Sequence, residues 1–277
     1  MTYEIIRRSW RQTTESDITA LVPVYVGPGD IVAGASNWWG LRSYSSDKLN
    51  YRTVRLRRSS DNQEQDFYTT ASGILNLSAI TAFAGGSNLF ASVLYDQAGN
   101  ANLTQTTQSQ QPQFISNNLS GTPSLRFTDA AASAMTVSSI VATQPFTVSW
   151  VANRTSPGVF NATFLSANIV ASGFAPTEGF LYHLAPSETD IGTGTPVGTY
   201  HAVQNVFNGA SSDLNIDGVS NITNPGTNNM SGRFDWSDDQ FNNHMEGNAM
   251  EIGVWDIAFT SVQSFLMAQN QMTYWAF

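Results

Sequence analysis

Tyr200-His-Ala-Val-Gln-Asn-Val-Phe-Asn-Gly209, followed by Asp213-Leu-Asn-Ile-Asp-Gly218, decides the fold. Asn-Gly and Asp-Gly are the dipeptides of tight turns, whose central residues need positive φ, so the stretch predicts consecutive antiparallel strands. Working outward, Phe146, Val148 and Trp150 share one face of Phe146-Thr-Val-Ser-Trp-Val151, as do Met250, Ile252 and Val254 in Met250-Glu-Ile-Gly-Val-Trp255. This period of two is that of half-buried strands. One convincing helix closes the chain, with Thr260 and Gln263 as a capping box and Val262, Phe265 and Leu266 as its apolar stripe. The expected fold class is therefore all-β, with one short C-terminal helix.

The 277 residues are 41% hydrophobic and only 12% charged, and they contain no cysteine. That is enough apolar material for a sizeable core, and it excludes disulfides, thiolate nucleophiles and iron–sulfur clusters. A composition low in charge and rich in Asn, Gln, Ser and Thr matches an extracellular or virion surface protein. Residues 1–66 carry nine basic side chains against eight acids, whereas residues 67–277 carry three against thirteen. So acidic a main body repels phosphate backbones, and nucleic acid is not an expected partner. No apolar run is long enough to span a membrane, and no secretory leader is expected at the N-terminus. The basic cluster Arg52, Arg55, Arg57 and Arg58 alternates with Tyr51, Val54 and Leu56, which predicts a strand pairing with Asp61, Glu64 and Asp66.

Two resemblances agree on a sandwich. Tyr200–Gly218, together with Met245-Glu-Gly-Asn-Ala-Met-Glu-Ile-Gly-Val-Trp-Asp256 and its following helix, resembles concanavalin A-like, laminin-G-like jelly-roll domains over residues 123–275. Gly27-Pro-Gly-Asp-Ile31, Leu41-Arg-Ser-Tyr-Ser45, Val54-Arg-Leu-Arg-Arg-Ser-Ser-Asp-Asn62, Leu94-Tyr-Asp-Gln-Ala-Gly-Asn100 and Leu103-Thr-Gln105 are similar, in order, to the catalytic domain of fungal-type α-L-arabinofuranosidase B. Similar segments occur in tailed-phage structural proteins. The expected organisation is an arm or anchoring strand at residues 1–26, followed by one jelly-roll sandwich at 27–277.

A retaining glycosidase needs two carboxyl groups about 5 Å apart. The resemblance sets Leu165-Ser-Ala-Asn-Ile169 where the family carries its nucleophilic glutamate, so Ile169 or a neighbour stands in place of the acid. Glu178 follows in a turn-like Pro176-Thr-Glu-Gly179, and Asp235, Asp238 or Asp239 matches the family's acid/base loosely. No catalytic residue is therefore assigned. Trp38 and Trp236, with Asp235, Asp238 and Asp239, are the candidate carbohydrate-binding residues, since aromatic faces on a sandwich rim stack on sugars. Trp38 and Trp39 are adjacent on a strand, so they must point to opposite faces. Asp238 and Asp239 beside His244 are the candidate Ca²⁺ ligands, and no other cofactor is expected. His201 reads as a strand residue hydrogen-bonded at the sheet surface.

Arg7, Arg8, Trp10 and Arg11 are the candidate anchoring residues, basic and apolar on an acidic chain. The leading expectation is a phage virion structural protein: a capsid decoration, head fibre or tail-associated component, binding host surface glycans and other virion proteins as a homo-oligomer. The alternatives are an α-L-arabinofuranosidase-like glycoside hydrolase and a bacterial lectin or adhesin module.

Overall fold

The computed structural model describes residues 25–99, 101–156, 161–174, 180–192, 196–239 and 243–277. Within them the strands are, in order, β1 (Ala35–Gly40), β2 (Arg52–Arg58), β3 (Glu64–Tyr68), β4 (Leu89–Leu94), β5 (Leu103–Thr104), β6 (Gln113–Leu119), β7 (Thr122–Phe127), β8 (Met135–Ala142), β9 (Phe146–Arg154) and β10 (Asn161–Ser166). They continue as β11 (Val170–Phe174), β12 (Phe180–Leu184), β13 (Glu188–Gly192), β14 (His201–Phe207), β15 (Ser212–Ile216), β16 (Ile222–Thr223), β17 (Met230–Trp236), β18 (Asp238–Asp239), β19 (Asn243–His244) and β20 (Gly247–Trp255). Three α-helices accompany them: α1 (Pro28–Ile31), α2 (Leu77–Ala84) and α3 (Ser261–Trp275).

All pairings are antiparallel and run as two layers. One follows the order β1–β20–β9–β14–β15–β16. The other follows β3–β2–β4–β5–β8–β17–β10–β11–β12–β13. The β6–β7 hairpin joins them, β6 pairing with β4 and β7 with β20. Aromatic side chains bridge the layers. Trp39 of β1 stacks on Phe234 of β17 at 5.5 Å, Trp150 of β9 meets Phe174 of β11 at 5.7 Å, and His183 of β12 meets Phe207 of β14 at 4.1 Å. The strands expected from the alternation and the jelly-roll-like sandwich implied by the resemblances are thus present.

The Asp-Gly turn follows the sequence, whereas the Asn-Gly one is corrected: Asn208 has φ −150° and Gly209 opens a 3-10 turn, Gly209–Ser211, that lengthens the connection. Val203 pairs with Ile216 and Val206 with Asp213, while Asp217 and Gly218 take φ of 53° and 88° at the next reversal. The expectation of half-buried strands at β9 and β20 is corrected, because every residue of both is buried. Their outer faces are covered by α3 and by the segment around α1.

Two corrections concern helices. Helix α2 went unrecognised; it is capped by Asn76, whose side chain accepts from the Ala79 amide, and closed by Gly85 at φ 54°. The capping box of α3 is formed as expected, but its apolar stripe faces outward: Val262, Phe265 and Leu266 are 67%, 47% and 45% exposed. The helix packs instead through Ser264, Met267, Ala268, Gln271 and Trp275. The reason is the sheet beneath, which presents polar groups there. Arg42 and Glu251, both fully buried, form a two-pronged ion pair at 2.6 and 2.8 Å. Gln271 and Trp275 of α3 donate to the same carboxylate at 3.0 Å, and Gln204 and Ser149 extend the network through Gln271. Burial opposes the charge on Arg42, yet Glu251 outweighs it and holds the guanidinium above the ordinary arginine pKa.

Candidate glycan-binding site

The expected sugar platform does not exist at the tryptophans. Trp38 and Trp39 do face opposite ways, but both are buried. Trp39 enters the interlayer core, and Trp38 packs in a second cluster with Tyr44, Trp255, Phe259 and Met267. Trp38 lies so close to the neighbouring strand that a Cβ on Gly253 would come within 2.5 Å of its ring. Trp236 is wholly buried, 5.6 Å from Phe127. These indoles follow the usual rule that the largest apolar areas go into the core. Asp235 is buried too, accepting from Thr136 Oγ1 at 2.6 Å and from Arg233 Nε at 2.8 Å.

The β18–β19 register sets Asp238 opposite His244 and Asp239 opposite Asn243. The side chains of Asp238 and Asp239 lie outside the described residues, as do Glu178 and the anchoring candidates Arg7, Arg8, Trp10 and Arg11. Among the described residues no three His, Asp or Glu side chains gather as metal ligands, and no helix is long and apolar enough to cross a membrane. His201 is the hydrogen-bonded strand residue expected, with Nδ1 2.7 Å from Asp217 Oδ2, but it is buried and not at the sheet surface. Ile169 occupies the turn between β10 and β11 at φ 56°.

A pocket of about 420 Å³ does form elsewhere, lined by Asn50, Tyr51, Arg52, Tyr68, Tyr95, Asp96, Gly99 and Asn102. Pairing of β2 with β3 sets Arg52 opposite Tyr68, and the end of β4 brings Tyr95 alongside. The Arg52 guanidinium lies 3.9 Å from the centre of the Tyr95 ring, and Lys48 Nζ lies 4.9 Å from that of Tyr51. Tyr95 donates its hydroxyl to Asp66 at 2.7 Å, and Arg55 grips the same carboxylate at 2.7 and 3.3 Å. Burial and the Asp66 bond push Tyr95 up to about 12. Burial alone would raise the pKa of Asp66, but its bonds from Arg55 and Tyr95 outweigh this and hold it below the ordinary value.

The basic strand behaves mostly as its alternation implied: Arg52 and Arg55 face Asp66, and Arg58 pairs with Asp61. Arg57 departs from that pattern, turning inward to Gln111 at 2.7 Å and Asn62 at 2.8 Å.

The motifs behind the second resemblance form the pocket's frame. Asp96 Oδ1 accepts from the amides of Trp38, Ala98 and Gly99, and Oδ2 from Ala101 and the Asn37 side chain, at 2.6 to 3.1 Å. Gln97 ties the same loop to the Arg42 carbonyl and the Tyr44 amide. Asp30 closes the Gly27 segment onto Ser46. These residues latch three loops together, so their role is positional.

The chain shares its fold with α-L-arabinofuranosidases. One solved structure, an arabinofuranosidase complexed with arabinofuranosyl-α-1,2-xylobiose, superposes with a TM-score of 0.69 at 14% identity over 88% of this chain. A GH54 α-L-arabinofuranosidase soaked with a cyclic sulfate inhibitor gives 0.67 at 16% identity, also over 88%. The chain spans 64% of the length of each, less than two thirds. No sequence-family pattern and no curated protein sequence matches it.

Proposed function

We propose that this chain is a glycan-binding domain built on the arabinofuranosidase fold, with the pocket between Tyr51, Tyr68 and Tyr95 as its sugar site. The carrying observation is the pocket itself: three tyrosines, two asparagines and an arginine around one open cleft, framed by the motif loops. Tyrosines offer an apolar face for a sugar ring and a hydroxyl for its oxygens, and Tyr68 is 48% exposed. The fold neighbours, whose names are those of carbohydrate-active enzymes, support a glycan role. A virion setting rests on the composition, the displaced catalytic acid and the resemblance of segments to tailed-phage structural proteins, with particle mass spectrometry as its test.

Hydrolysis of an α-L-arabinofuranoside is the second reading, favoured by the shared fold. The pocket's carboxylates argue for binding, because Asp66 and Asp96 already accept the donors named above and neither is free to act as nucleophile or acid. Titration calorimetry against neutral and acidic plant-type oligosaccharides should show binding, weakened about tenfold by Tyr68→Ala, the effect of losing one aromatic platform worth about 1.4 kcal/mol. Incubation with 4-nitrophenyl α-L-arabinofuranoside should release no 4-nitrophenol above background. Turnover there, with no Tyr68-dependent binding, would transfer the function to the second reading.

A further inference from the structure

Resting on the glycan-binding reading, we infer that the pocket selects sugars that carry a carboxylate, that is, uronic acid residues. The inference starts from which hydrogen-bonding groups remain uncommitted. Asp96 receives five N–H groups, and Asp66 receives Arg55 and the Tyr95 hydroxyl, so both carboxylates have their acceptor capacity taken up within the protein. A site for neutral sugars ordinarily sets carboxylates against the ligand's hydroxyl donors; here both carboxylates are occupied, and the acceptors left are neutral ones, the Asn50 amide oxygen and the Tyr51 and Tyr68 hydroxyls.

What remains is mostly donors. Arg52 reaches Asp66 only through Nη1 at 3.5 Å, and its side chain is 47% exposed while held against Tyr95. Its position is thus fixed by the ring, and the rest of its planar fork is available for the two-pronged recognition that suits a carboxylate. Asn102 spends its carbonyl oxygen on the Asp96 amide, which leaves its NH₂ group as the free end. Lys48, beside Tyr51, adds a second cation at the rim.

Of the residues that line the pocket Arg52 and Asp96 are charged and cancel, Arg55 and Asp66 pair with each other beyond Tyr95, and Lys48 lies against Tyr51, so the pocket is not acidic in a chain whose net charge is −9. An acidic sugar is repelled by most of this surface and admitted here. Its carboxylate meets the Arg52 fork and the Asn102 NH₂ group.

The test compares trigalacturonate with its fully methyl-esterified form, which keeps the sugar and removes the charge. At low salt the acid should bind at least tenfold more tightly than the ester, and raising the ionic strength should narrow the gap. Arg52→Gln should bring the acid down to the ester's affinity, and Arg52→Lys, which keeps charge but loses the fork, should fall between. Equal binding of acid and ester to the unmodified protein would overturn the carboxylate assignment. If that equal binding still depended on Tyr68, the glycan reading would survive; if neither form bound, the carboxylate assignment would fall, and the glycan reading with it only if the neutral oligosaccharides also failed to bind. A sulfated trisaccharide binding as well as the acid would also overturn it, since the recognised group would then be any anion.

Discussion

Glu251→Ala should destabilise the protein by about 3–5 kcal/mol, which corresponds to a fall of roughly 10 °C in melting temperature. The substitution removes a carboxylate that takes four hydrogen bonds, two from Arg42 and one each from Gln271 and Trp275. Arg42 is fully buried and cannot recover its lost partner from water. Its aliphatic stem and guanidinium are enclosed by the rings of Tyr274, at 4.4 Å, and Trp275, at 5.8 Å, so a stranded charge would have to be accommodated by displacing α3. Replacing both members by methionine should restore much of the loss, because an ion pair exchanged for apolar volume avoids the desolvation cost that a single deletion exposes. Thermal denaturation of the two variants measures this directly. A loss below about 1 kcal/mol for Glu251→Ala would show that water reaches the pair.

The second large effect depends on acidity. His183 is fully buried, with Nδ1 3.0 Å from the Thr223 hydroxyl, its ring against Phe207 and no partner at Nε2. Burial lowers its pKa from 6.5 to about 3. In the unfolded chain the same imidazole titrates near 6.5, so between about pH 3 and 6.5 the unfolded state binds the extra proton. The depressed pKa therefore means stability that is complete above pH 6.5 and lost as the pH falls, by about 1.4 kcal/mol per pH unit. Between pH 6.5 and 4.5 this amounts to about 2.7 kcal/mol. His183→Gln should flatten the slope of melting temperature against pH across that window, whatever it does to stability at pH 7. An unchanged slope would mean that the imidazole takes up its proton alike in the folded and unfolded chains.

The alternation at Phe146–Val151 and Met250–Trp255 made the strands legible, and the Asn208-Gly209 and Asp217-Gly218 turns made their order legible. The candidate site was not legible in the same way. Tyr68 lies in no motif, Tyr51 appears only beside the basic strand and Tyr95 only within the family resemblance; what assembles them is strand pairing and the latch at Asp96. Tryptophan drew the sugar-stacking expectation because of its large ring, and that same area is what the core claims first. The outward face of α3 went astray for a related reason. Apolar spacing identifies a buried stripe only when the facing surface is apolar, and here that surface offers Glu251, Gln204 and Ser149.

The pairing of β1 with β20 has a kinetic consequence. Trp38 sits opposite Gly253 and Trp39 opposite Ile252, so among the described residues the first strand pairs with the last and with no other. The Val32 carbonyl likewise waits for the indole of Trp255, and Arg42 for Glu251. Loop closure over such sequence separations is slow, and the transition state must carry its entropy cost before the contacts form. During synthesis β1 therefore leaves the ribosome with an unpaired edge, Trp39 without its stacking partner until Phe234 has emerged and Trp38 without Trp255 and Phe259. For this chain the hazardous interval is the time of translation itself, and a nascent chain stalled short of β20 would be a substrate for chaperones.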